Sequence, residues 1–253
     1  MSKTVLLNPE DHQHICINTQ HNLAMAASVG EQYNACLTFV GELRSMQAHY
    51  PVFLQKDPQS ELFYPVALLG FAQGENLYLS DTAWECPYIP ALLARQPFSI
   101  GLQTNDAGEE SRVVHIDLAH PRVCETVPPS DQQHGFEPLF EASGTQTAYL
   151  QKMANLLESI HIGMQENAAF TEALVKHELV ESFTLEVELL DGSQNQLIGY
   201  YTINEEKLYA LNAEQLHELN AAGFLSAAYM MLASQSQLSN LIARKNQQIN
   251  TAE

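Results

Sequence analysis

Three histidine–acid spacings in this sequence are close to patterns that bind metals. The first is HELVE, from His177 to Glu181, where a glutamate replaces the second histidine of the H-E-x-x-H zinc motif. That motif binds zinc through two histidines one helical turn apart. Because only one of them is present, we do not expect a zinc hydrolase.

The other two spacings are Glu-x-x-His pairs, Glu158 with His161 and Glu214 with His217. Side chains three residues apart share a helix face, and di-iron bundles combine two such pairs with two more glutamates. This sequence predicts hairpins rather than a four-helix bundle. Solvated helix faces are therefore the preferred interpretation of both pairs.

The remaining motifs do not indicate a catalytic centre. His12 and His14 would face the same way on a strand, but no third ligand accompanies them, so a polar surface is expected. The sequence contains no P-loop, no G-x-G-x-x-G and no G-x-S-x-G. We predict no metal and no cofactor, and the catalytic residues of any reaction stay unknown.

An aromatic and proline-rich stretch, Phe63–Phe98, carries the candidate binding residues Tyr64, Trp84, Tyr88 and Arg95. Tyrosine and tryptophan offer large amphipathic faces, and arginine offers a planar fork that fits a carboxylate. Such a surface suits a peptide or an aromatic side chain. The alternative stays open that Trp84 fills a core and Arg95 pairs with an acid.

Charge excludes some partners. The chain has 11 Lys+Arg against 30 Asp+Glu, a formal charge of −19, and no basic stripe. A phosphate backbone or an anionic membrane surface would not attract it. No run approaches the 18 or so apolar residues of a membrane span, and the first residues show no secretory signal. We expect no nucleic acid, no membrane insertion and a cytoplasmic location.

The four cysteines, Cys16, Cys36, Cys86 and Cys124, include no C-x-x-C pair. Metal ribbons and thioredoxin-type chemistry are therefore not expected. Without an export signal, reduced and mostly buried thiols are preferred to two disulfides.

Elements in the first half are predicted from periodicity and turn residues. We expect strands within 12–20, 74–81 and 112–118 and a hairpin of 51–56 with 62–71, in which Pro65 lies at an edge or a strand start. One expected helix covers 32–47, with an apolar face that includes Phe39 and Leu43. A second begins at Pro90 and stops before Pro97.

Signals are stronger in the second half. An apolar stripe from Tyr149 to Met164 predicts a helix, and alternation over 183–203 predicts a hairpin with Asp191-Gly192 in its connection. Asn204 and the pair Asn212/Gln215 are typical helix N-caps. Gly223 suits a helix end, and a long C-terminal helix is expected over 225–248.

Together these elements predict an α+β fold with an antiparallel or mixed sheet of short strands and several helices. We expect a single domain over 1–253, with two sub-domains, 1–124 and 148–253, as the alternative. The stretch 125–147, rich in Pro, Gly, Ser and Gln, would then be the loop between them.

Several segments, taken in order, resemble the SapC family of bacterial proteins. They are YPVFLQK, FYPVALLGFAQGENLYL, YIPALLARQPF, FTLEVELLDG, LIGYYTINEEKLYAL and GFLSAAYMMLASQSQLSNL, and they extend from about Tyr50 to Leu241. The family name implies surface-layer proteins, and the resemblance supplies no catalytic residue. Family genes near those of TonB-dependent receptors imply an accessory role by association alone.

Our first hypothesis is therefore a soluble, non-catalytic binding or accessory protein that acts through protein or peptide contacts. The first alternative is a surface-layer or self-assembling protein, which would be exported without a signal peptide. The second is an enzyme with an unrecognised site. Association of the chain with itself stays open.

Overall fold

The computed structural model describes residues 3–29, 33–104, 108, 110–125 and 135–252. Within them the fold is α+β, and all paired strands are antiparallel, as the sequence predicts. The chain divides into two compact units. Unit 1 comprises Met1–Glu31, Leu79–Trp84 and Ala91–His161, and unit 2 comprises Gln32–Tyr78, Glu85–Pro90 and Ile162–Glu253.

The strands, in chain order, are β1 (Thr4–Leu6), β2 (Cys16–Asn18), β3 (Ala35–Leu37), β4 (Val52–Lys56), β5 (Phe63–Leu68), β6 (Phe98–Thr104), β7 (Glu110–Asp117), β8 (Val123–Cys124), β9 (Phe136–Pro138), β10 (Val180–Glu188) and β11 (Gln194–Ile203). The helices are α1 (Pro9–His12), α2 (Leu23–Val29), α3 (Leu43–Met46), α4 (Ala91–Ala94), α5 (Ala148–Lys176), α6 (Glu205–Tyr209), α7 (Ala213–Ala221), α8 (Phe224–Ser234) and α9 (Gln237–Ala252).

Unit 1 contains two three-stranded sheets, with strand orders β1-β7-β6 and β8-β2-β9. Strands β2 and β7 confirm the predictions for 12–20 and 112–118. The core of the unit is apolar and is formed by residues of both sheets and of α5. Its members include Ile15, Ile17, Phe98, Ile116, Leu139, Leu150 and Leu157.

Unit 2 is built on a five-stranded sheet with the order β10-β11-β4-β5-β3. Both predicted hairpins, β4–β5 and β10–β11, are confirmed. In β10 the inward residues alternate with exposed ones, and Phe183 stacks on Phe53 of β4 at 4.7 Å between ring centroids. Ser234 of α8 accepts a 2.9 Å hydrogen bond from the backbone N–H of Val52, which joins that helix to the sheet.

The predicted caps are also confirmed. Asn204 accepts from the backbone N–H of Lys207, and Asn212 forms a capping box with Gln215. These side chains satisfy N–H groups that the first helical turn leaves without partners. The predicted C-terminal helix is present as α8 and α9, with a break at residues 235–236. The helix expected after Pro90 is the single turn α4.

The helix predicted over 32–47 is wrong. The segment contains strand β3 and a 3-10 turn at Val40–Glu42, and only α3 is α-helical. Asn167 of α5 explains the extended chain, because its side-chain amide donates to the carbonyl of Thr38 and its side-chain oxygen accepts from the N–H of Val40. This tertiary contact and the pairing of β3 with β5 outweigh an apolar periodicity that also suits a helix.

Two strand predictions also need correction. The segment 74–81 forms no strand; Leu79 makes one isolated bridge with Trp84, and Asn76 accepts from the N–H of Tyr78. Pro65 lies inside β5, which is an inner strand rather than an edge. Its carbonyl accepts from Thr38, just beyond the last paired residue of β3, so its missing N–H falls where that pairing ends.

The sub-domain limits expected at 124 and 148 both fall within unit 1. Each unit is assembled from three separate segments of the chain. The stretch 125–147 is not a loop throughout, because Phe136–Pro138 form β9 and pair with β2. Residues 126–134 lie outside the described residues, and the division at this stretch stays a prediction.

Candidate functional site

A polar groove of about 400 Å³ lies in unit 2, along one face of α9. Helix α9 contributes Gln237, Asn240, Ala243, Arg244 and Gln247. Their spacing of three or four residues places them on a single helix face. The facing wall is formed by Ala48, His49, Cys86 and Pro87. Among the described residues that line the groove there is one arginine and no lysine, aspartate or glutamate.

Arg244 is held in place by two contacts. Its guanidinium carbon lies 4.6 Å from the centroid of the Tyr78 ring, and its Nη2 donates a 2.7 Å hydrogen bond to the carbonyl of Glu85. A guanidinium has five N–H donors, and the bond to Glu85 uses one of them. The next residue, Lys245, forms an ion pair with the largely buried carboxylate of Glu75.

Tyrosines support the groove wall from behind. The hydroxyl of Tyr78 donates to the carbonyl of His49 at 3.0 Å, and its ring lies 4.6 Å from that of Tyr50. The hydroxyl of Tyr50 donates to the carbonyl of Tyr88. Burial raises the pKa of Tyr78, while the charge of Arg244 lowers it by less. Tyr78 therefore remains a neutral hydrogen-bond donor.

The chain after Pro87 is fixed by a buried carboxylate. Glu42, only 4% exposed, accepts from the hydroxyls of Tyr88 at 2.9 Å and Thr38 at 2.7 Å. Burial, and then the neighbouring Glu42 carboxylate, raise the pKa of Tyr88, so this phenol keeps its proton. Tyr88, which directly follows Cys86 and Pro87 of the groove wall, is thus anchored by Glu42.

The four predicted site residues divide between the units. Tyr88, in unit 2, directly follows the groove wall. Tyr64, also in unit 2, lies in β5, and its hydroxyl is 3.5 Å from the side-chain oxygen of Gln55. Trp84 and Arg95 belong to unit 1, where Arg95 Nη1 donates to the carbonyl of Phe98 at 2.6 Å. The prediction thus pointed to one neighbour of the groove, Tyr88.

Sequence reasoning missed the α9 face of the groove. The available signal was polar residues at 237, 240, 244 and 247, which recur at helical spacing. A polar helix face ordinarily indicates a solvated surface, so this signal selects a binding site only when the opposite wall is known.

Trp84 lies beside a buried cationic cluster in unit 1. Arg122 is 1% exposed, and its Nη1 donates to the carbonyls of Gln20 at 2.6 Å and Asn18 at 3.3 Å. Its Nη2 lies 3.0 Å from Nδ1 of His21, whose ring meets that of Trp84 edge-on. Burial, and then the charge of Arg122, lower the pKa of His21 to about 4. This cluster holds its cation away from any ligand.

Metal-site candidates from the sequence are dispersed. His177 and Glu181 lie where α5 ends and β10 begins, not on one helix face. Glu158 forms an ion pair with Arg112 at 2.7 Å. His12 is buried in α1, against the expected surface position. Within the described ranges, no group of three or more His, Cys, Asp or Glu is arranged to hold a metal ion.

None of the helices among the described residues has both the length and the apolar character needed to cross a membrane. A family model described as SapC matches residues 7–241, which is most of the chain. No curated protein and no solved structure gave a match.

Proposed function

This chain belongs to the SapC family, and we propose that it is a non-catalytic accessory protein that binds a peptide segment of another protein in the groove along α9. The observation that supports the proposal is the composition of that groove, with three side-chain amides beside one fixed guanidinium.

Amide side chains match a peptide backbone. Gln237, Asn240 and Gln247 carry carbonyl oxygens and NH₂ groups, which are the partners that main-chain N–H and C=O groups require. Asn240 donates to the side-chain oxygen of Gln237 at 2.8 Å, a bond that uses one N–H of Asn240 and one lone pair of Gln237 and leaves the second of each for a ligand. An extended peptide along α9 would therefore meet a row of donors and acceptors. Arg244 adds a planar fork suited to a carboxylate of the ligand.

The tyrosine behind the groove wall is suited to support rather than to catalysis. Tyr78 stays protonated because burial raises its pKa. General-base chemistry needs a group whose pKa lies near the working pH, and a tyrosine with a raised pKa does not meet that need. Self-assembly as a surface layer and a cryptic enzymatic activity remain the alternatives, and the cytoplasmic location remains a prediction.

The test selects peptides from a random-sequence display library on the purified full-length chain. Binding of the selected peptides is then measured by fluorescence anisotropy for the wild type and for Arg244→Gln and Asn240→Ala. Loss of a charge-assisted hydrogen bond costs about 1.5–3 kcal/mol, so we expect Arg244→Gln to weaken binding about 10-fold or more.

Gln248→Ala is the matched control, because Gln248 lies on α9 but does not line the groove. It should leave affinity unchanged. The proposal fails if no peptide is selected, or if the selected peptides bind both groove variants as tightly as the wild type. Concentration-dependent high-mass species in light scattering would favour the self-assembly alternative.

A further inference from the structure

Two cysteines face each other across a strand pair of unit 1. In the antiparallel pairing of β2 with β8, Cys16 lies directly opposite Cys124, and Ile17 opposite Val123. Directly opposed residues project to the same face of a sheet, with Cα atoms about 4.5–5.5 Å apart. Disulfides form across Cα distances of about 4.4–6.8 Å. The backbone therefore already holds this pair at bonding distance.

The side chains are also in contact. Both cysteines are free thiols, and their side chains form a hydrogen bond with each other. Burial, and then the neighbouring Cys124, raise the pKa of Cys16 to about 11. Cys16 is fully buried, whereas Cys124 is partly exposed. Cys124 is thus the thiol of the pair that a small reagent can reach, while Cys16 lies in the interior beside it.

The other two cysteines differ in this respect. Cys36 lies in β3 opposite Ala67, and Cys86 lines the groove of unit 2. Strand pairing therefore gives neither of them a facing thiol.

We propose that Cys16 and Cys124 are a reversible thiol–disulfide pair that closes by exchange with a small disulfide such as glutathione disulfide. The Cys124 thiolate attacks one sulfur of the reagent and releases one glutathione as its thiol. The Cys16 sulfur, as thiolate, then attacks the Cys124 sulfur of the mixed disulfide and releases the second glutathione. The protein dithiol is oxidised by two electrons, and the reagent is reduced to two thiols.

The bond would tie β2 to β8 next to the buried Arg122 cluster. Asn18, two residues after Cys16, and Arg122, two residues before Cys124, already share a backbone hydrogen bond of 2.8 Å. Closing the pair cross-links residues far apart in the chain and restricts the unfolded state. The oxidised protein should therefore melt at a higher temperature than the reduced protein.

The test equilibrates the folded, full-length chain with mixtures of glutathione and glutathione disulfide, then alkylates remaining thiols and measures mass. We expect the wild type to lose two hydrogen atoms and to retain no glutathione on Cys16 or Cys124. The variant Cys36→Ala/Cys86→Ala, which keeps only the facing pair, should lose both its thiols at the same redox poise. Its trypsin digest should contain a cross-link between residues 4–44 and 123–152.

Two single variants complete the test, after circular dichroism confirms that they fold. Cys16→Ala should stop at the mixed disulfide, with glutathione retained on Cys124. Cys124→Ala should leave the buried Cys16 unmodified. The proposal is overturned if the paired cysteines keep their thiols under native conditions, if glutathione stays on Cys124 of the wild type, or if the cross-link joins other cysteines.

Discussion

Arg122 in unit 1 and Arg244 in unit 2 have similar kinds of neighbours but different access. Arg122 contacts two backbone carbonyls and the imidazole of His21, and it is 1% exposed. Arg244 contacts one backbone carbonyl and the ring of Tyr78, and it lines an open groove. The guanidinium of Arg122 makes its contacts within unit 1, whereas that of Arg244 is still accessible to a ligand.

The comparison shows that residue type alone does not identify a binding arginine. A buried cation is stable only when polar groups replace the water it has lost, as the carbonyls of Asn18 and Gln20 do for Arg122. A partly exposed cation keeps water as a partner. Substitutions in each cluster test whether solvent exposure accounts for this contrast.

The largest effect is expected from Arg122→Met. It removes the donor to two partly buried carbonyls, those of Asn18 and Gln20. An unsatisfied acceptor costs about 1–3 kcal/mol, so we expect the free energy of unfolding to fall by about 3 kcal/mol. Urea unfolding can be followed by the fluorescence of Trp84, the single tryptophan, which lies in the same unit.

Arg244→Met is the matched control for that experiment. It removes a partly exposed cation–π contact and an exposed hydrogen bond to the carbonyl of Glu85, which water can replace. The free energy of unfolding, followed by circular dichroism, should therefore fall by about 1 kcal/mol or less. If the free energy of unfolding fell equally in the two variants, solvent exposure would not distinguish the roles of the two arginines.

An intermediate effect is expected from acid. His21 is neutral in the folded protein, with a pKa of about 4 against 6.5 ordinarily. Below pH 6.5 the unfolded chain binds the proton first, so the free energy of unfolding should fall as the pH drops to about 4. The full shift corresponds to about 3 kcal/mol, and solvent screening of the partly exposed imidazole reduces the expected fall to about 2 kcal/mol.

The variant His21→Gln should flatten this dependence in urea titrations read from Trp84. His120 contributes in the same direction, because burial and the charge of Arg122 also lower its pKa. The double variant with His120→Gln should therefore be flatter still. A wild-type free energy of unfolding that is constant between pH 6.5 and 4 would contradict the burial of His21 beside Arg122.

The smallest effect concerns the support of the open groove. Tyr88→Phe removes a 2.9 Å hydrogen bond to the buried carboxylate of Glu42, which should cost about 1–2 kcal/mol in thermal or urea unfolding. Tyr64→Phe removes a contact of 3.5 Å to Gln55 and should cost a few tenths of a kcal/mol. A larger loss for Tyr64 would mean that the wall is not anchored through Glu42.

The sequence predicted those elements that depend on interactions between residues close together in the chain. The β10–β11 hairpin follows from strict alternation and the Asp191-Gly192 turn, and the Asn204 cap acts within three residues. The segment 32–47 shows the limit. Its apolar spacing fits a helix, but Asn167, far along the chain, holds it extended through two hydrogen bonds.

The α+β class, the two hairpins and the helix caps could be predicted from the amino-acid sequence, because periodicity and capping act between residues close in the chain, and the resemblance of several segments indicated the family. The groove, the facing cysteines and the contrasting roles of Arg122 and Arg244 became apparent only in the folded molecule. Each of these depends on residues far apart in the chain, such as Cys86 with α9 or Cys16 with Cys124. Burial and approach between distant residues decide whether a side chain supports the fold or remains available for chemistry.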